Sequence, residues 1–335
     1  IICGFCILMD IMSPVNHFWS YIFDFSLDVH FFLLNIIIYN LEVNIAKKPD
    51  TILNVEGDIG QCIPLIIDSP HSGTQYPLDF KHQADFSKLR QAEDTYVDEL
   101  YKYVADIGRA FLEAKFPRSY IDANRSETDF STEDLIDNDI SFNEIKFTPT
   151  IKSELGIGLI WSRIPPNGEP LYPQKLKLNE VLNRIDHYHR PYHQTLSRIM
   201  NNTHKKFGRF YHINAHSMQN NASAMSTQLK GTKRPDFVIG DRDGQSCKLE
   251  FRNIIVKYLE SLNYSVAIND PYKGVELVSA YSNPNLEKHS IQIEVNRRLY
   301  MNEETREKNE GFDILRKNIT GLLETIKEWL NKSER

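Results

Sequence analysis

The chain has 335 residues, of which 41% are hydrophobic and 25% charged, a composition typical of a soluble globular protein with enough apolar residues for a core. Its formal net charge of −6 gives no electrostatic argument for nucleic-acid binding. Its four cysteines are too few and too scattered for a disulfide framework, so we expect a reducing compartment and a cytoplasmic protein.

Residues 1–50 differ in character from the rest of the chain and stay unassigned, so we expect the folded domain to cover residues 51–335. The apolar run from Phe31 to Tyr39 is shorter than the ~20 residues that span a bilayer, and no Lys or Arg precedes it, as a secretory signal would require. We therefore expect no stable membrane insertion. Cys3 and Cys6 have the spacing of half a metal or redox motif, but no second pair lies nearby.

The first strong signal in this domain is a short apolar run from Ile63 to Ile67. The run is rich in β-branched residues and stops at Asp68-Ser-Pro, which predicts a buried strand that ends in a loop. His71 lies just past that end, and in an open α/β sheet the carboxyl ends of the strands are where ligands bind. Taken alone, the pattern also fits a turn with an incidental histidine.

The next segment, residues 86–107, has helical spacing and predicts a helix with Asp94 near its middle. An acidic residue on a helix ordinarily lies on a solvated face. Residues 109–122 contain two apolar runs around Pro117, which predicts paired strands ending just before Arg125. The acidic stretch 126–143 predicts a surface loop, and Arg163 closes a segment rich in Gly and aromatic residues.

Residues 174–207 have the pattern of a long amphipathic helix or a helix pair, which Pro191 breaks or kinks. His189 and His193 lie four residues apart on this segment, but Pro191 separates them and no acidic base accompanies them, so a metal pair is disfavoured. A short strand over residues 210–214 then leads to His216.

The last third of the chain alternates strands and helices. Strands are predicted at 236–240, 264–268 and 290–295, and helices at 247–262 and 311–330, with a loop over 269–274. Glu294 lies inside an apolar strand, where a carboxylate is costly unless it is paired or functional. The alternation predicts an α/β protein with a mixed sheet.

Strand-end loops and one helix thus supply His71, His216, Glu294 and Asp94. Two histidines and one carboxylate form a ligand set for a catalytic zinc with an open position for water, and a second carboxylate would then serve as general base. Ligands this dispersed do not form a motif, so their spacing alone does not decide between this site and unrelated residues.

At these residues the sequence resembles the N-formylglutamate amidohydrolase (N-formylglutamate deformylase) family, over about Val55 to Met301. The matching segments, in chain order, are Ser-Pro-His71-Ser-Gly-Thr, Asp94 with Val97-Asp-Glu-Leu-Tyr101, Tyr120-Ile-Asp-Ala-Asn-Arg125, Gly158-Leu-Ile-Trp, Arg190-Pro-Tyr-His193, Ala215-His216-Ser217-Met218, Asn269-Asp-Pro-Tyr-Lys-Gly274, and Ile291-Gln-Ile-Glu294 through Tyr300-Met301.

This resemblance implies an α/β fold with a mixed sheet flanked by helices, in a three-layer architecture like that of zinc carboxypeptidases and aminoacylases. It implies a divalent metal, most simply Zn²⁺, with His71, His216 and Asp94 as ligands and Glu294 as the carboxylate that activates water. The implied reaction is hydrolysis of the formamide of N-formyl-L-glutamate, a step of histidine degradation. Arg125 is our candidate for stabilising the oxyanion.

A substrate with two carboxylates calls for cations, because the Arg fork binds a carboxylate bidentately. The residues expected to bind substrate are Arg163, Arg297, Asn269 and Lys273. Two departures from the family stand out: Asn214 replaces the usual Asp before Ala-His-Ser, and Val275 replaces a usual Gly. The alternatives are an amidohydrolase for another N-acyl amino acid or a cell-wall amide, and a non-catalytic protein that binds acyl amino acids.

Overall fold

A computed structural model describes residues 51–57, 62–103, 110–136, 146–226 and 228–332. The spacing of Cys3 and Cys6, the apolar run at 31–39 and the unassigned segment lie outside these residues. None of the described helices combines the length and the apolar character needed to cross a bilayer.

Within the described residues, seven strands form one sheet and two more form a small hairpin. The strands of the sheet are β1 (Leu53–Glu56), β2 (Leu65–Ser69), β3 (Ala110–Ala114), β6 (Phe210–Met218), β7 (Phe237–Gly240), β8 (Val266–Ile268) and β9 (Lys288–Asn296), and those of the hairpin are β4 (Arg163–Ile164) and β5 (Glu169–Pro170). The sheet order is β1-β3-β2-β6-β9-β7-β8. The four strands β3, β2, β6 and β9 are mutually parallel, whereas β1 and β7 run antiparallel to their neighbours β3 and β9. The sheet is therefore mixed, as predicted.

Helices cover both faces of the sheet. The helices of the described chain are α1 (Phe86–Arg90), α2 (Val97–Tyr101), α3 (Ile151–Glu154), α4 (Leu178–Arg184), α5 (Arg190–Phe207), α6 (Leu249–Ser261), α7 (Glu276–Ser279) and α8 (Gly311–Lys332). Short 3₁₀ turns lie at Thr132–Asp134, Pro284–Leu286 and Arg297–Leu299, and one π-type turn at Ile185–His189 joins α4 to α5. On one face α8 packs with α2 and α6, and on the other α5 packs against β3 and β6. The predicted three-layer α/β architecture is confirmed.

The sequence pattern explains the two faces. Along β6 the residues Tyr211, Ile213 and Ala215 enter one apolar core, together with the buried stripes of α6 and α8. The residues that alternate with them, His212, Asn214 and His216, face the opposite side and are also buried. Because successive strand residues point to opposite faces, one side of β6 is apolar and the other polar. The same alternation in β9 brings Glu294 to the polar face.

Three local predictions were wrong. A single helix over 86–107 is replaced by the short α1 and α2 with a turn between them, and the end predicted at residue 107 lies outside the described chain. Of the two strands predicted in 109–122, β3 forms and pairs with β1 and β2, but the second does not form, because Pro117 lacks an N–H and begins a turn. The strand at 210 continues to Met218, so His216 lies inside β6. Pro191 lies in the first turn of α5, where its missing N–H is tolerated; the chain does not break there but passes from α4 into α5 through the π-type turn.

Candidate metal centre

The carboxyl ends of the parallel strands converge on one cavity of about 420 Å³, a size typical of small-molecule sites. His71 lies just after β2, His216 lies near the end of β6, and Glu294 lies near the end of β9. The pairing of β6 with β9 places Glu294 directly beside His216. All three side chains line the cavity, and all three are buried.

Asp94 reaches the same point from the turn between α1 and α2. The backbone N–H of Asp94 donates to the carbonyl of His71 at 3.0 Å, which ties the turn to the β2 loop. The neighbouring Glu93 is fully buried and accepts hydrogen bonds from Tyr76, Arg90 and Thr95. These anchors turn Asp94 inward, which is why the solvated helix face expected for it does not form.

His71, Asp94 and His216 form the cluster in the described chain that can hold a metal ion, with one ligand atom from each residue and all of these atoms within 4.8 Å of one another. Asp94 Oδ2 lies 3.0 Å from His216 Nδ1 and 3.5 Å from His71 Nδ1. Ligands around a tetrahedral zinc stand about 3.3 Å apart, given Zn–N and Zn–O bonds of about 2.0–2.1 Å. His71 Nδ1 is buried without a hydrogen-bond partner among the described residues, as a nitrogen reserved for a metal would be. The residues present therefore fit a metal.

The other nitrogen of each histidine is held by a polar partner. His71 Nε2 lies 2.6 Å from Asp122 Oδ1, and His216 Nε2 lies 2.7 Å from Asn214 Oδ1. Asn214 in turn donates from Nδ2 to Asp68 Oδ1 at 2.7 Å, which fixes the amide with its oxygen towards His216. These contacts orient both rings so that Nδ1 faces the cluster, an arrangement common around metal-binding histidines.

Arg297 completes the support of the cluster. Its guanidinium donates to Asp94 Oδ1 at 2.9 Å, to Ser217 Oγ at 3.0 Å and to the Gln91 carbonyl at 3.0 Å. Asp94 thus presents Oδ1 to Arg297 and Oδ2 to the histidines. Burial alone would raise the pKa of the Asp94 carboxyl, but its hydrogen bond with His216, together with the nearby His71 and Arg297, holds that pKa well below the ordinary value.

Glu294 has the opposite electrostatic environment. Burial and the negative charge of Asp94 raise the pKa of Glu294 to about 8, and the cations Arg118 and Arg234 only partly offset this. The Gln292 amide donates to Glu294 Oε1 at 2.8 Å. Two carboxyls in one cavity therefore differ in proton affinity, a pattern that separates a permanently ionised group from one that exchanges protons.

The residues expected to contact substrate divide into two groups. Arg125, Arg297 and Lys273 line the cavity, although Arg297 is engaged with Asp94, and Lys273 is exposed and paired with Asp243. The structure does not bring Arg163 and Asn269 into the lining. Arg163 is exposed in the β4–β5 hairpin and donates to the Gly168 carbonyl, and Asn269 bonds both the backbone N–H and the carboxylate of Asp241.

Several lining residues were missed from the sequence. Arg118 donates to Asp122 Oδ2 at 2.8 Å, and its Nε is buried without a partner among the described residues. Trp161 Nε1 and Arg125 Nε are likewise buried without a hydrogen-bond partner among the described residues. Lys152, from α3, lines the same cavity. The sequence segment 120–125, which matches the family, could have indicated that this part of the chain reaches the site. Within it, Asp122 contacts His71 and Asn124 contacts His216.

Known proteins show the same combination of sequence and fold. The family described as N-formylglutamate amidohydrolase matches residues 63–301. An N-formylglutamate deformylase of Pseudomonas putida is 26% identical over 249 residues, which cover 72% of this chain and 83% of that protein. One of Pseudomonas aeruginosa is 24% identical over 277 residues, or 80% and 94% of the two chains. The crystal structure of an N-formylglutamate amidohydrolase from Ralstonia eutropha JMP134 superposes with a TM-score of 0.79 at 40% identity, covering 84% of this chain and 99% of that one.

Proposed function

The chain belongs to the N-formylglutamate amidohydrolase family, and on that premise we propose that it hydrolyses N-formyl-L-glutamate to glutamate and formate with the help of a divalent metal, zinc. The observation that carries the proposal is the pairing of β6 with β9, which sets Glu294 beside the His71–Asp94–His216 cluster. A ligand cluster and a separate carboxylate in one cavity are what metal-assisted amide hydrolysis needs.

His71, Asp94 and His216 would hold the metal. A set of two imidazoles and one carboxylate is typical of catalytic zinc, and three protein ligands leave one position open. When bound, a divalent metal supplies a Lewis acid that acidifies water and polarises the amide carbonyl. Asp122, Asn214 and Arg297 keep the three ligands oriented.

Glu294 is the proposed general base. A carboxylate beside the attacking water takes its proton and then delivers that proton to the nitrogen of the departing amino acid. A base works best when its pKa is close to the working pH, and burial together with Asp94 moves the pKa of Glu294 towards that range. Asp94, with its low pKa, stays ionised and is unsuited to this exchange.

Negative charge develops on the formyl oxygen during the attack. Arg125 was the cation expected to stabilise it, but Arg118 lines the same cavity and is held more closely, by an ion pair of 2.8 Å with Asp122 against 3.9 Å for Arg125. We therefore assign the oxyanion to Arg118, which lines the cavity, is fixed by Asp122 and keeps an unpartnered buried Nε. Arg125 lines the same cavity beside it.

The test is release of formate by purified protein that has been stripped of metal and reloaded with Zn²⁺. N-formyl-L-glutamate should be cleaved and N-acetyl-L-glutamate should not, and His71→Ala and His216→Ala should lose both bound metal and activity. His187→Ala, which removes an exposed histidine outside the cavity, is the matched control and should keep both. Cleavage of the acetyl but not the formyl compound would indicate an amidohydrolase for another acyl group. Full metal content in both alanine variants would refute the ligand assignment.

A further inference from the structure

Among the cations that line the cavity are Arg118, Arg125, Lys152 and Arg234. Burial lowers the pKa of the Lys152 ammonium, and the charges of Arg125, Arg118 and Arg234 lower it further. Like charges gathered in a partly buried place destabilise one another unless an anion joins them. The cluster therefore has the electrostatics of an anion receptor.

The protein already compensates two of these cations. Arg118 forms an ion pair with Asp122 at 2.8 Å. Arg234 donates from three nitrogens, each at 3.2 Å, to Gln228 Oε1, the Gln219 carbonyl and Ser226 Oγ. The Lys152 ammonium makes no hydrogen bond or ion pair with any residue that the structure describes, and Arg125 has only a long contact of 3.9 Å with Asp122. Lys152 and Arg125 are thus the cations of this set whose donors are left for a ligand, and Lys152 lacks even a long contact with a carboxylate.

The position of Lys152 indicates which substrate group it meets. Arg118 pairs with Asp122, which contacts His71, and Arg125 Nε lies 3.9 Å from the same carboxylate, whereas Lys152 forms no ion pair with any carboxylate of the described chain. Lys152 is therefore a cavity cation that takes no part in the contacts around the metal ligands. In N-formylglutamate the side-chain carboxylate is farther from the formamide nitrogen than the α-carboxylate is.

Resting on the proposed function, we propose that Lys152 binds the side-chain carboxylate of N-formylglutamate and thereby determines the preference for an acidic amino acid. This role was expected for Arg163 or Arg297. Arg163 is outside the cavity, and Arg297 directs its donors to Asp94, Ser217 and Gln91.

The test compares Lys152→Met with wild type on two substrates, N-formyl-L-glutamate and N-formyl-L-glutamine, which differ only in the side-chain charge. For the glutamate compound kcat/KM should fall at least about thirtyfold, mainly through KM, because the charge pair between Lys152 and the side-chain carboxylate is lost. For the glutamine compound kcat/KM should change less than about threefold, which also shows that the variant is folded. Lys205→Met, the same change at an exposed position outside the cavity, should leave both values unchanged.

A binding measurement separates this inference from the proposed function. Calorimetric binding of N-formyl-L-glutamate to Glu294→Gln, with and without Lys152→Met, does not require turnover. If wild type releases no formate, the proposed reaction is wrong, but weaker binding in the double variant still supports Lys152. Equal losses of kcat/KM for both substrates in Lys152→Met, or an unchanged preference for glutamate, would overturn the assignment of Lys152 to the side-chain carboxylate.

Discussion

Asn214 connects the buried Asp68 to His216, and replacing it by aspartate tests the hydrogen bonds that orient this metal ligand. Its Nδ2 donates to Asp68 Oδ1 at 2.7 Å, and its Oδ1 lies 2.7 Å from His216 Nε2. Asp68 and Asn214 are direct neighbours in the pairing of β2 with β6, and both are fully buried. Asn214→Asp would put a second carboxylate against Asp68 in place of a donor.

The size of the effect depends on that distance. Two unit charges 2.7 Å apart repel by about 6 kcal/mol at an effective dielectric constant of 20, so the pair would instead share one proton. Keeping a carboxyl protonated at pH 7, when its ordinary pKa is about 4, costs at most about 4 kcal/mol. We therefore expect Asn214→Asp to lower the free energy of unfolding of the metal-free protein by roughly 2–4 kcal/mol at pH 7.

The same reasoning gives the direction in which the stability loss of Asn214→Asp changes with pH. The folded-state pKa of the shared carboxyl is raised above its unfolded value, so the loss is present above the unfolded pKa and disappears as the pH falls towards about 4. Urea unfolding at pH 7 and pH 5 measures this, with the exposed Asn202→Asp as the matched control. The double variant Asp68→Asn/Asn214→Asp restores one amide and one carboxylate and should recover at least about 2 kcal/mol. Equal stability of Asn214→Asp and wild type, or a double variant no better than the sum of its singles, would refute the argument.

Three further outcomes are expected at the metal centre. Glu294→Gln should keep the metal, measured by elemental analysis, while kcat falls by about 10²–10⁴, the usual size of a general-base contribution; loss of metal would make Glu294 a ligand instead. The folded-state pKa of Glu294 is raised from 4.5 to about 8, so the metal-free protein should lose up to about 5 kcal/mol of stability as the pH rises through that range, and Glu294→Gln should lack this loss in urea titrations. Asp122→Asn removes the carboxylate 2.6 Å from His71 Nε2 and should weaken zinc binding by about 10–100-fold in a chelator competition, with unchanged affinity as the contrary result.

The sheet and two of the metal ligands could be predicted because strands leave a local signature. Apolar runs that end at turn residues gave β2, β6 and β9 in the right order, and with them the histidines at or near the ends of β2 and β6. The boundaries were less certain because β6 continues through a polar alternation, His212, Asn214 and His216, which local hydrophobicity does not distinguish from a loop. The alternation itself has the two-residue period of a strand, and that period indicates that β6 continues to His216.

The cations could not be located in the same way. Arg163 and Lys152 are both basic residues in loop-rich sequence, and only the path of the chain decides that α3 brings Lys152 to the cavity while the β4–β5 hairpin exposes Arg163. Asp94 was recognised through the family, but the turn that delivers it depends on the buried Glu93 and on its hydrogen bond to His71. Such contacts join residues far apart in the sequence, and periodicity does not report them.

The chemistry of the site depends on strand register as much as on the residues themselves. His216 and Glu294 are paired across β6 and β9, and the intervening positions Ala215, Ile293 and Val295 lie in the core on the other face. Because side chains alternate, a slip of one residue in β9 would carry Glu294 into that apolar core and bring Val295 or Ile293 to the metal centre. Burial of the apolar residues makes such a slip costly, since it would expose a hydrophobic face and bury an unpaired carboxylate. The apolar core that fixes the register therefore also holds the proposed base beside the proposed metal ligands.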